Sequence, residues 1–261
     1  MHVSTITEEY IRDRLLRGLR EGRKGLLSYR GISIITGTMP NAEGSAEVSI
    51  GDTKVVAGVK IDVAEPMRDT PEEGTLTTAA ELLPMASESY DPGPPSPEAV
   101  EISRVIDRGI RAAGIVDTEK LFIEPEKVWG VYIDVYVLNY DGNLFDAGTL
   151  AATSALLTSR MPKYENGAVI REGDLGRLET KNIVTSCTFA KVSNNIILDP
   201  DGNEELFAGA RLTVANDENY LRAMQKGISG SFTAKEIGSM VDITFERSKD
   251  LRKLVKNAAG E

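Results

Sequence analysis

The segment "VWGVYIDVYVLNYDGNLFDAGTLAATSALLTS", residues 128–159, contains the clearest structural pattern of the chain. Its first part alternates apolar with polar side chains, which predicts a β-strand with one buried face. The alternating apolar residues are Val131, Ile133, Val135 and Val137. Asp141-Gly142 then predicts a turn. The small residues of "GTLAATSALLTS" predict a helix that can pack closely against its neighbours.

Predicted strands lie on both sides of this segment. "SAEVSIGDTKVVAGVKID" predicts a hairpin with its turn at Gly51-Asp52, and "RGISIITG" before it predicts another strand. Further strands are predicted at residues 183–190, 195–198 and 211–215. A helix follows that begins at Thr233, with Glu236 as its partner in a capping box. Because clusters of strands precede helices twice, the sequence predicts an α+β (α/β-like) fold with two related halves.

The weakly periodic segment "MPKYENGAVIREGDLGR", residues 161–177, is rich in turn-forming residues and predicts a boundary between two subdomains. Near the N-terminus a helix is predicted from about Ile6 to Arg17, followed by the basic loop "LREGRKG". Arg20 and Arg23 in that loop suit either a surface loop or a contact with a partner, and the pattern does not decide between them. The predicted units are residues 1–25 (N-terminal helix and basic loop), 26–165 (first subdomain) and 180–257 (second subdomain).

The composition restricts the chemistry that the chain can perform. Its 261 residues have a formal net charge of −10 and contain one histidine, His2, and one cysteine, Cys187. A lone histidine excludes Ser-His-Asp and Cys-His catalytic groups and metal sites built on histidine. A lone cysteine excludes an internal disulfide framework and suits a reducing cytoplasm, where we expect the protein to reside. No apolar run is long enough to span a membrane, so no membrane partner is expected.

The segment "SPEAVEISRVIDRGIRAAG" predicts an amphipathic helix. Ser96 suits its N-cap, Pro97 its first position and Gly114 the residue just past its end. At 100° per residue, apolar side chains fall on one side and three arginines on the opposite side. The three arginines are Arg104, Arg108 and Arg111.

Two interpretations of this arginine face stay open from spacing alone. It could be a solvated face on which Glu101 and Asp107 form salt bridges with the arginines. Alternatively, it could bind phosphate groups, because the planar guanidinium donates two hydrogen bonds to a phosphate at once. The acidic net charge argues against indiscriminate nucleic-acid binding but does not exclude a locally basic surface.

Four motifs together resemble the RNase PH superfamily, which includes the ring subunits of the RNA exosome. They look most like the non-catalytic ring subunits of the archaeal exosome. The motifs are "GSAEVSIGDTKVVAGVK", "ELLPMAS", "YDPGPPSPEAVEISRVIDRGIR" and "LFDAGTLAATSALL". The resemblance implies an RNase PH fold of two related βαβα units, with the chain placed in a hexameric ring.

The resemblance also implies partners and a reaction. In the archaeal ring such a subunit alternates with a catalytic paralogue, three of each, and RNA-binding cap subunits sit on one face. The assembled ring degrades single-stranded RNA from its 3′ end by phosphorolysis, in which inorganic phosphate attacks the terminal phosphodiester. The phosphate and a divalent ion are expected at the catalytic paralogue, and no cofactor or metal is expected in this chain.

The residues that match the family's catalytic groups are altered. Catalytic members hold phosphate with a Gly-Gly-Thr-Arg turn at a helix start, which matches Ala147, Gly148, Thr149 and Leu150 here. Leucine supplies neither charge nor hydrogen-bond donor, although the backbone amides are expected to remain. The acids of the family match Asp199, Glu205 and Arg211, so one negative side chain has become positive. These acids could also form an ordinary polar turn after a strand.

The expected function is therefore a non-catalytic subunit that binds the RNA backbone and helps to structure the active site of its catalytic neighbour. The RNA contacts are expected at Arg104, Arg108 and Arg111, with Arg68 in "EPMRDTPEEG" as a weaker candidate. One alternative is an active phosphate-dependent 3′–5′ exoribonuclease. Another is a structural subunit that never touches RNA.

Overall fold

The structure, a computed structural model, describes residues 5–173 and 175–260. His2 and the first four residues of the predicted unit 1–25 lie outside the described residues. The predicted N-terminal helix is confirmed as α1, Thr5–Leu16.

The first half of the chain builds a six-stranded sheet around one long strand. Its strands are β1 (Ile32–Thr36), β2 (Gly44–Ile50), β3 (Thr53–Ala64), β4 (Thr75–Leu82), β5 (Phe122–Glu124) and β6 (Lys127–Asn139). They lie in the order β1-β2-β3-β6-β4, and β5 pairs with one end of β6. The pairing is antiparallel throughout except between β4 and β6, which run parallel.

The predicted hairpin is confirmed, since Ile50 of β2 pairs with Thr53 of β3 across Gly51-Asp52. Gly51 has a φ of 58°, a left-handed backbone that glycine adopts without strain. Strand β4 was not predicted. In its sequence "TLTTAAEL" only Leu76 and Ala80 are buried, so it lacks a strict alternation of large apolar residues.

Two helices belong to this half. Helix α2 (Pro97–Ala113) has the predicted caps: the Ala99 amide donates to the Ser96 hydroxyl at 3.2 Å, and Gly114 has a φ of 60°. Helix α3 (Leu144–Leu157) follows β6 after the predicted turn, and every one of its residues is buried. A short 3₁₀ turn, Thr118–Leu121, connects α2 to β5.

The second half repeats the arrangement on a smaller scale. Four short strands come first: β7 (Arg160–Met161), β8 (Lys163–Glu165), β9 (Ala168–Ile170) and β10 (Gly176–Arg177). The main sheet contains β11 (Thr185–Val192), β12 (Asn195–Leu198), β13 (Ala210–Asn216) and β14 (Leu221–Gly227). Its order is β12-β11-β13-β14, and all of its pairs are antiparallel. The strand β14, at one edge, was not predicted.

The helices of the second half are α4 (Gly202–Leu206) and α5 (Ala234–Ala259). Thr233 and Glu236 form the capping box predicted for the last helix. Each half thus runs from strands to a helix, then to strands and a helix, which confirms the predicted α+β architecture. Within residues 5–173 and 175–260, no helix is both long and apolar enough to cross a membrane.

Helix α3 lies at the centre of the molecule, between the two main sheets. It packs against β2 and β3 of the first sheet, β11 of the second sheet, and helices α2 and α5. Small side chains permit this close approach. A β-carbon added to Gly44, in β2, would lie 2.2 Å from the Ala155 carbonyl oxygen and 2.8 Å from the Ser159 Cα.

We therefore expect Gly44→Ala to lower the free energy of unfolding by about 1–3 kcal/mol, because backbone atoms of α3 cannot move aside easily. The control is Gly238→Ala in α5, where the added β-carbon meets nothing within 4 Å. That substitution should raise the free energy of unfolding by about 0.5–1 kcal/mol. Urea unfolding followed by circular dichroism measures both. Equal stability of the Gly44→Ala variant and the unmodified protein would contradict the close packing of α3.

Candidate nucleic-acid interface

Helix α2 presents the two faces that its sequence predicts. Its buried face includes Ile102, Val105 and Ile106, whereas Arg104 and Arg108 are exposed on the opposite side together with Arg111. The three guanidinium groups line an open groove of about 520 Å³ between α2 and strand β4. The groove is wide and open to solvent, so an extended chain can reach the arginines.

The structure places Arg68 next to this groove but not in it. Arg68 is exposed and lines a neighbouring groove of about 790 Å³, together with Lys127. Met67 lines both grooves. The four arginines singled out in the sequence therefore divide into one group of three and one neighbour.

The three arginines of the groove differ in what they bind within the chain. Arg111 donates to the Asp107 carboxylate at 2.7 Å and also to the Leu76 carbonyl oxygen. Arg108 donates from one nitrogen to the side-chain oxygen of Gln225 at 2.9 Å. Among the described residues, Arg104 has neither an ion pair nor a hydrogen bond through its side chain. Arg104 and Arg108 therefore keep most of their donors for a ligand in the groove.

The segment that matches the family's phosphate turn lies inside helix α3. Because the helix begins at Leu144, the amides of Gly148, Thr149 and Leu150 are in its second turn. There they bond to carbonyl oxygens one turn earlier. This corrects the expectation that the amides remain for an anion. Leu150 is 0% exposed and belongs to the hydrophobic core.

Asp199 and Glu205 lie near each other, and both bind Asn143 just before helix α3. The backbone nitrogen of Asn143 donates to Glu205 at 2.9 Å, and the side-chain nitrogen of Asn143 donates to Asp199 at 2.7 Å. Arg30 donates to both oxygens of Asp199, and the Tyr140 hydroxyl donates to Glu205 at 2.8 Å. Both carboxylates therefore already have their hydrogen bonds from the protein. Burial raises the pKa of Glu205 above its ordinary value.

Arg211 is the third residue that matches the acids of the family, after Asp199 and Glu205. Its side chain points towards helix α2. Its guanidinium carbon lies 4.3 Å from the centre of the Phe145 ring, and one of its nitrogens donates to Glu101 at 3.0 Å. A cation therefore stands where the family pattern has an acid, and Asp199 already accepts hydrogen bonds from Arg30 and Asn143. Across the described part of the chain, no group of three or more acidic, cysteine or histidine side chains is arranged to hold a metal ion.

The basic loop after α1 forms ion pairs within the chain that the sequence did not reveal. Arg20 is 4% exposed and donates two hydrogen bonds to Glu204, at 2.8 and 2.5 Å. The side chain of Arg23 is 2% exposed and pairs with Asp201 at 3.0 Å and with Asp199 at 3.4 Å. The loop lies at the surface, with Glu21 and Lys24 exposed, but its two arginines bind acids of the second half. No local pattern could identify partners about 180 residues away.

Another buried acid, Asp146 in the first turn of α3, was also missed. It accepts hydrogen bonds from the Tyr29 hydroxyl at 2.8 Å and from the Thr188 amide and hydroxyl at 2.9 and 2.8 Å. Burial raises the pKa of Asp146 to about 6, although its hydrogen bonds oppose that shift. The carboxylate connects the start of α3 to the second sheet.

We predict that Leu150→Arg will not restore a phosphate site, because the side chain would place a charge in the apolar core. The variant should lose about 3–5 kcal/mol of unfolding free energy. Leu150→Met, which keeps the volume and polarity, should lose less than about 1.5 kcal/mol. Thermal unfolding combined with phosphate titration measures both effects. A folded Leu150→Arg variant that binds phosphate tightly would contradict the buried position of this residue.

Comparisons with known proteins agree with this fold over nearly the whole chain. Residues 28–162 and 182–247 match the two domains of the RNase PH, or 3′ exoribonuclease, family. The exosome complex component Rrp42 of Thermococcus gammatolerans is 44% identical over 260 residues, covering 96% of this chain and 95% of the relative. The component of the same name from Aeropyrum pernix is 43% identical over 251 residues, covering 94% and 91%.

Solved structures give the same result. A chain of the Archaeoglobus fulgidus exosome with RNA bound to the active site is 36% identical, with a TM-score of 0.89. The alignment covers 95% of this chain and 97% of that one. A chain of an archaeal exosome core is 34% identical, with a TM-score of 0.86 and 96% coverage of each chain. Since both family domains match in order and the relatives align almost end to end, this chain belongs to the RNase PH, or 3′ exoribonuclease, family.

Proposed function

We propose that this chain is a non-catalytic ring subunit of an archaeal exosome. In this role it binds the backbone of RNA and helps to structure the active site of a catalytic family member during 3′–5′ phosphorolysis. The near full-length similarity to exosome complex components, and to a chain of an exosome solved with RNA, supports the assignment to the ring.

The observation that carries the non-catalytic part of the proposal is the complete burial of Leu150. Phosphorolysis brings an inorganic phosphate next to a phosphodiester, so positive charge must surround the attacking anion. At this position the chain offers an aliphatic side chain within the core, and the neighbouring amides bond within helix α3. Asp199 and Glu205 are likewise bound by protein donors.

Arg104 and Arg108 support the RNA-binding part of the proposal. They face an open groove, and most of their donors have no partner in the described residues. A helix face with guanidinium groups reaches phosphates rather than base edges, so binding should be tolerant of sequence. Arg111 contributes to RNA binding mainly by holding Asp107. Arg68 contacts RNA only when the RNA strand also enters the neighbouring groove.

The partners in this proposal follow from the proposed ring. The chain alternates with the catalytic family member, three of each, and RNA-binding cap subunits cover one face. The catalytic member binds the inorganic phosphate and the divalent ion, because the matching residues of this chain are a buried leucine and a cation, Leu150 and Arg211. Single-stranded RNA is the shared ligand.

The proposal is tested by phosphate-dependent release of nucleoside diphosphates from a short RNA. We expect no release by the purified chain alone and clear release by the ring reconstituted with a catalytic family member. The physical reason is that Leu150, at the position that matches the family's phosphate-binding arginine, is buried and supplies no cation. Release by the chain alone, at a rate comparable to that of the ring, would establish the alternative of an active exoribonuclease.

For the reconstituted ring we predict that Arg104→Glu combined with Arg108→Glu weakens RNA binding. The dependence of log affinity on log salt concentration should also become shallower, by about 0.7 for each lost phosphate contact. Fluorescence anisotropy with a labelled single-stranded RNA over a series of salt concentrations measures both quantities.

The matched control makes the same change in net charge on a different helix. Lys249→Glu with Lys253→Glu places two glutamates one turn apart on the exposed face of helix α5. This control should alter affinity only slightly and leave the salt slope unchanged. If the arginine variant binds RNA with unchanged affinity and slope, the chain is a structural subunit that does not contact RNA through α2.

A further inference from the structure

We propose that Arg211 keeps the carboxylate of Glu101 away from Arg104 and Arg108, and thereby keeps these two arginines available for phosphate. Arg211 is then a positioning residue of the RNA surface, although it lies in a different half of the chain. The inference rests on the proposed function, since it concerns the same arginines. It gives Arg211, which the proposed function treats only as the replacement of a family acid, a role in RNA binding.

The need for such a residue follows from the spacing on helix α2. Glu101 precedes Arg104 by three residues and Arg108 by seven, so the three side chains lie on one face of the helix. A glutamate three residues before an arginine is well placed for an ion pair. Such a pair would neutralise Arg104, and the carboxylate would repel a phosphate in the groove.

In the structure Glu101 binds Arg211 instead. Its carboxylate accepts a hydrogen bond from an Arg211 nitrogen at 3.0 Å, and the two side chains are only 33% and 17% exposed. Arg211 is fixed from two sides. Its guanidinium stacks on Phe145, and a β-carbon on Gly227 would lie 2.7 Å from its terminal nitrogen.

Gln225 connects this ion pair to the arginine face without adding charge. Its side-chain nitrogen lies 3.5 Å from the carboxylate of Glu101, and its side-chain oxygen accepts from Arg108 at 2.9 Å. Because an amide is neutral, it orients Arg108 but leaves the positive charge in place. The Arg211–Glu101–Gln225 contacts therefore hold Arg108 in position and leave Arg104 without a competing carboxylate.

Asp107, which lines the groove, is also bound by residues other than Arg104 and Arg108. Asp107 accepts a hydrogen bond from Arg111 at 2.7 Å and another from Thr78 at 3.1 Å. Glu101 and Asp107 thus both bind partners other than Arg104 and Arg108. The pairing concentrates the unneutralised positive charge of the groove on those two arginines.

The experiment measures RNA binding by the reconstituted ring carrying Arg211→Met. Released Glu101 should pair with Arg104, so we expect affinity for a short single-stranded RNA to fall about fivefold. The salt slope should fall by up to about 0.7, the value for one phosphate contact. Adding Glu101→Gln should bring affinity back to within about twofold of the unmodified ring, because no carboxylate is left to compete.

A matched double variant separates this mechanism from a change in net charge. Arg211→Met with Glu81→Gln has the same net charge as the rescued variant, but Glu81 is an exposed residue of strand β4 outside the groove. It should keep the fivefold loss. Equal rescue by both double variants, or no loss with Arg211→Met, would overturn the inference. If Arg211→Met reduces ring assembly, Arg211→Gln replaces it in the single and double variants.

A further comparison, made in a ring that already lacks both arginines, distinguishes failure of this inference from failure of the proposed function. In a ring with Arg104→Met and Arg108→Met, the change Arg211→Met should cause no further loss of affinity. A further fivefold loss would mean that Arg211 acts on RNA independently and would overturn the inference. If Arg104→Met with Arg108→Met alone leaves affinity unchanged, the proposed RNA surface itself is wrong.

Discussion

The burial of helix α3 is the constraint on which the rest of the structure depends. A helix that packs against two sheets and two other helices has no face left for solvent, so every side chain must suit a close contact. Alanine, glycine, serine and threonine allow backbones to approach, as at Gly44 and Ser159. The same burial explains why a leucine at position 150 cannot act on an anion. At position 150 the central helix therefore contributes packing to the core.

The polar end of α3 creates a second requirement, because carboxylates removed from water must be paired or hydrogen-bonded. Asp146 is bound by hydroxyl and amide donors, and Asp199 by Arg23, Arg30 and Asn143. Arg20 does the same for Glu204 and holds its pKa below the ordinary value, although burial alone would raise it. These acids therefore join the basic loop, α3 and the second sheet to one another. Their role is structural cohesion.

On helix α2, in contrast, two acids are paired but two of the arginines have no acidic partner among the described residues. Here the acids Glu101 and Asp107 bind internal partners, and two guanidinium groups are left facing an open groove. A protein of net charge −10 can in this way present a small basic surface without being basic as a whole. Selective pairing on α2 thus concentrates its positive charge at Arg104 and Arg108, the two residues on which the proposed RNA contact depends.

Local patterns along the chain were enough to predict the β2–β3 hairpin, the alternation of β6, the caps of α2 and the capping box of α5, since each depends on residues close in sequence. They also placed Arg104 and Arg108 opposite the apolar face of their helix. Strands β4 and β14 were missed because they are partly exposed and lack regular alternation. The pairs Arg20–Glu204 and Arg211–Glu101 join residues 184 and 110 positions apart, so only tertiary folding could bring them together. Periodicity indicates which side of an element is buried, but the partner of a charge depends on which distant elements pack beside it.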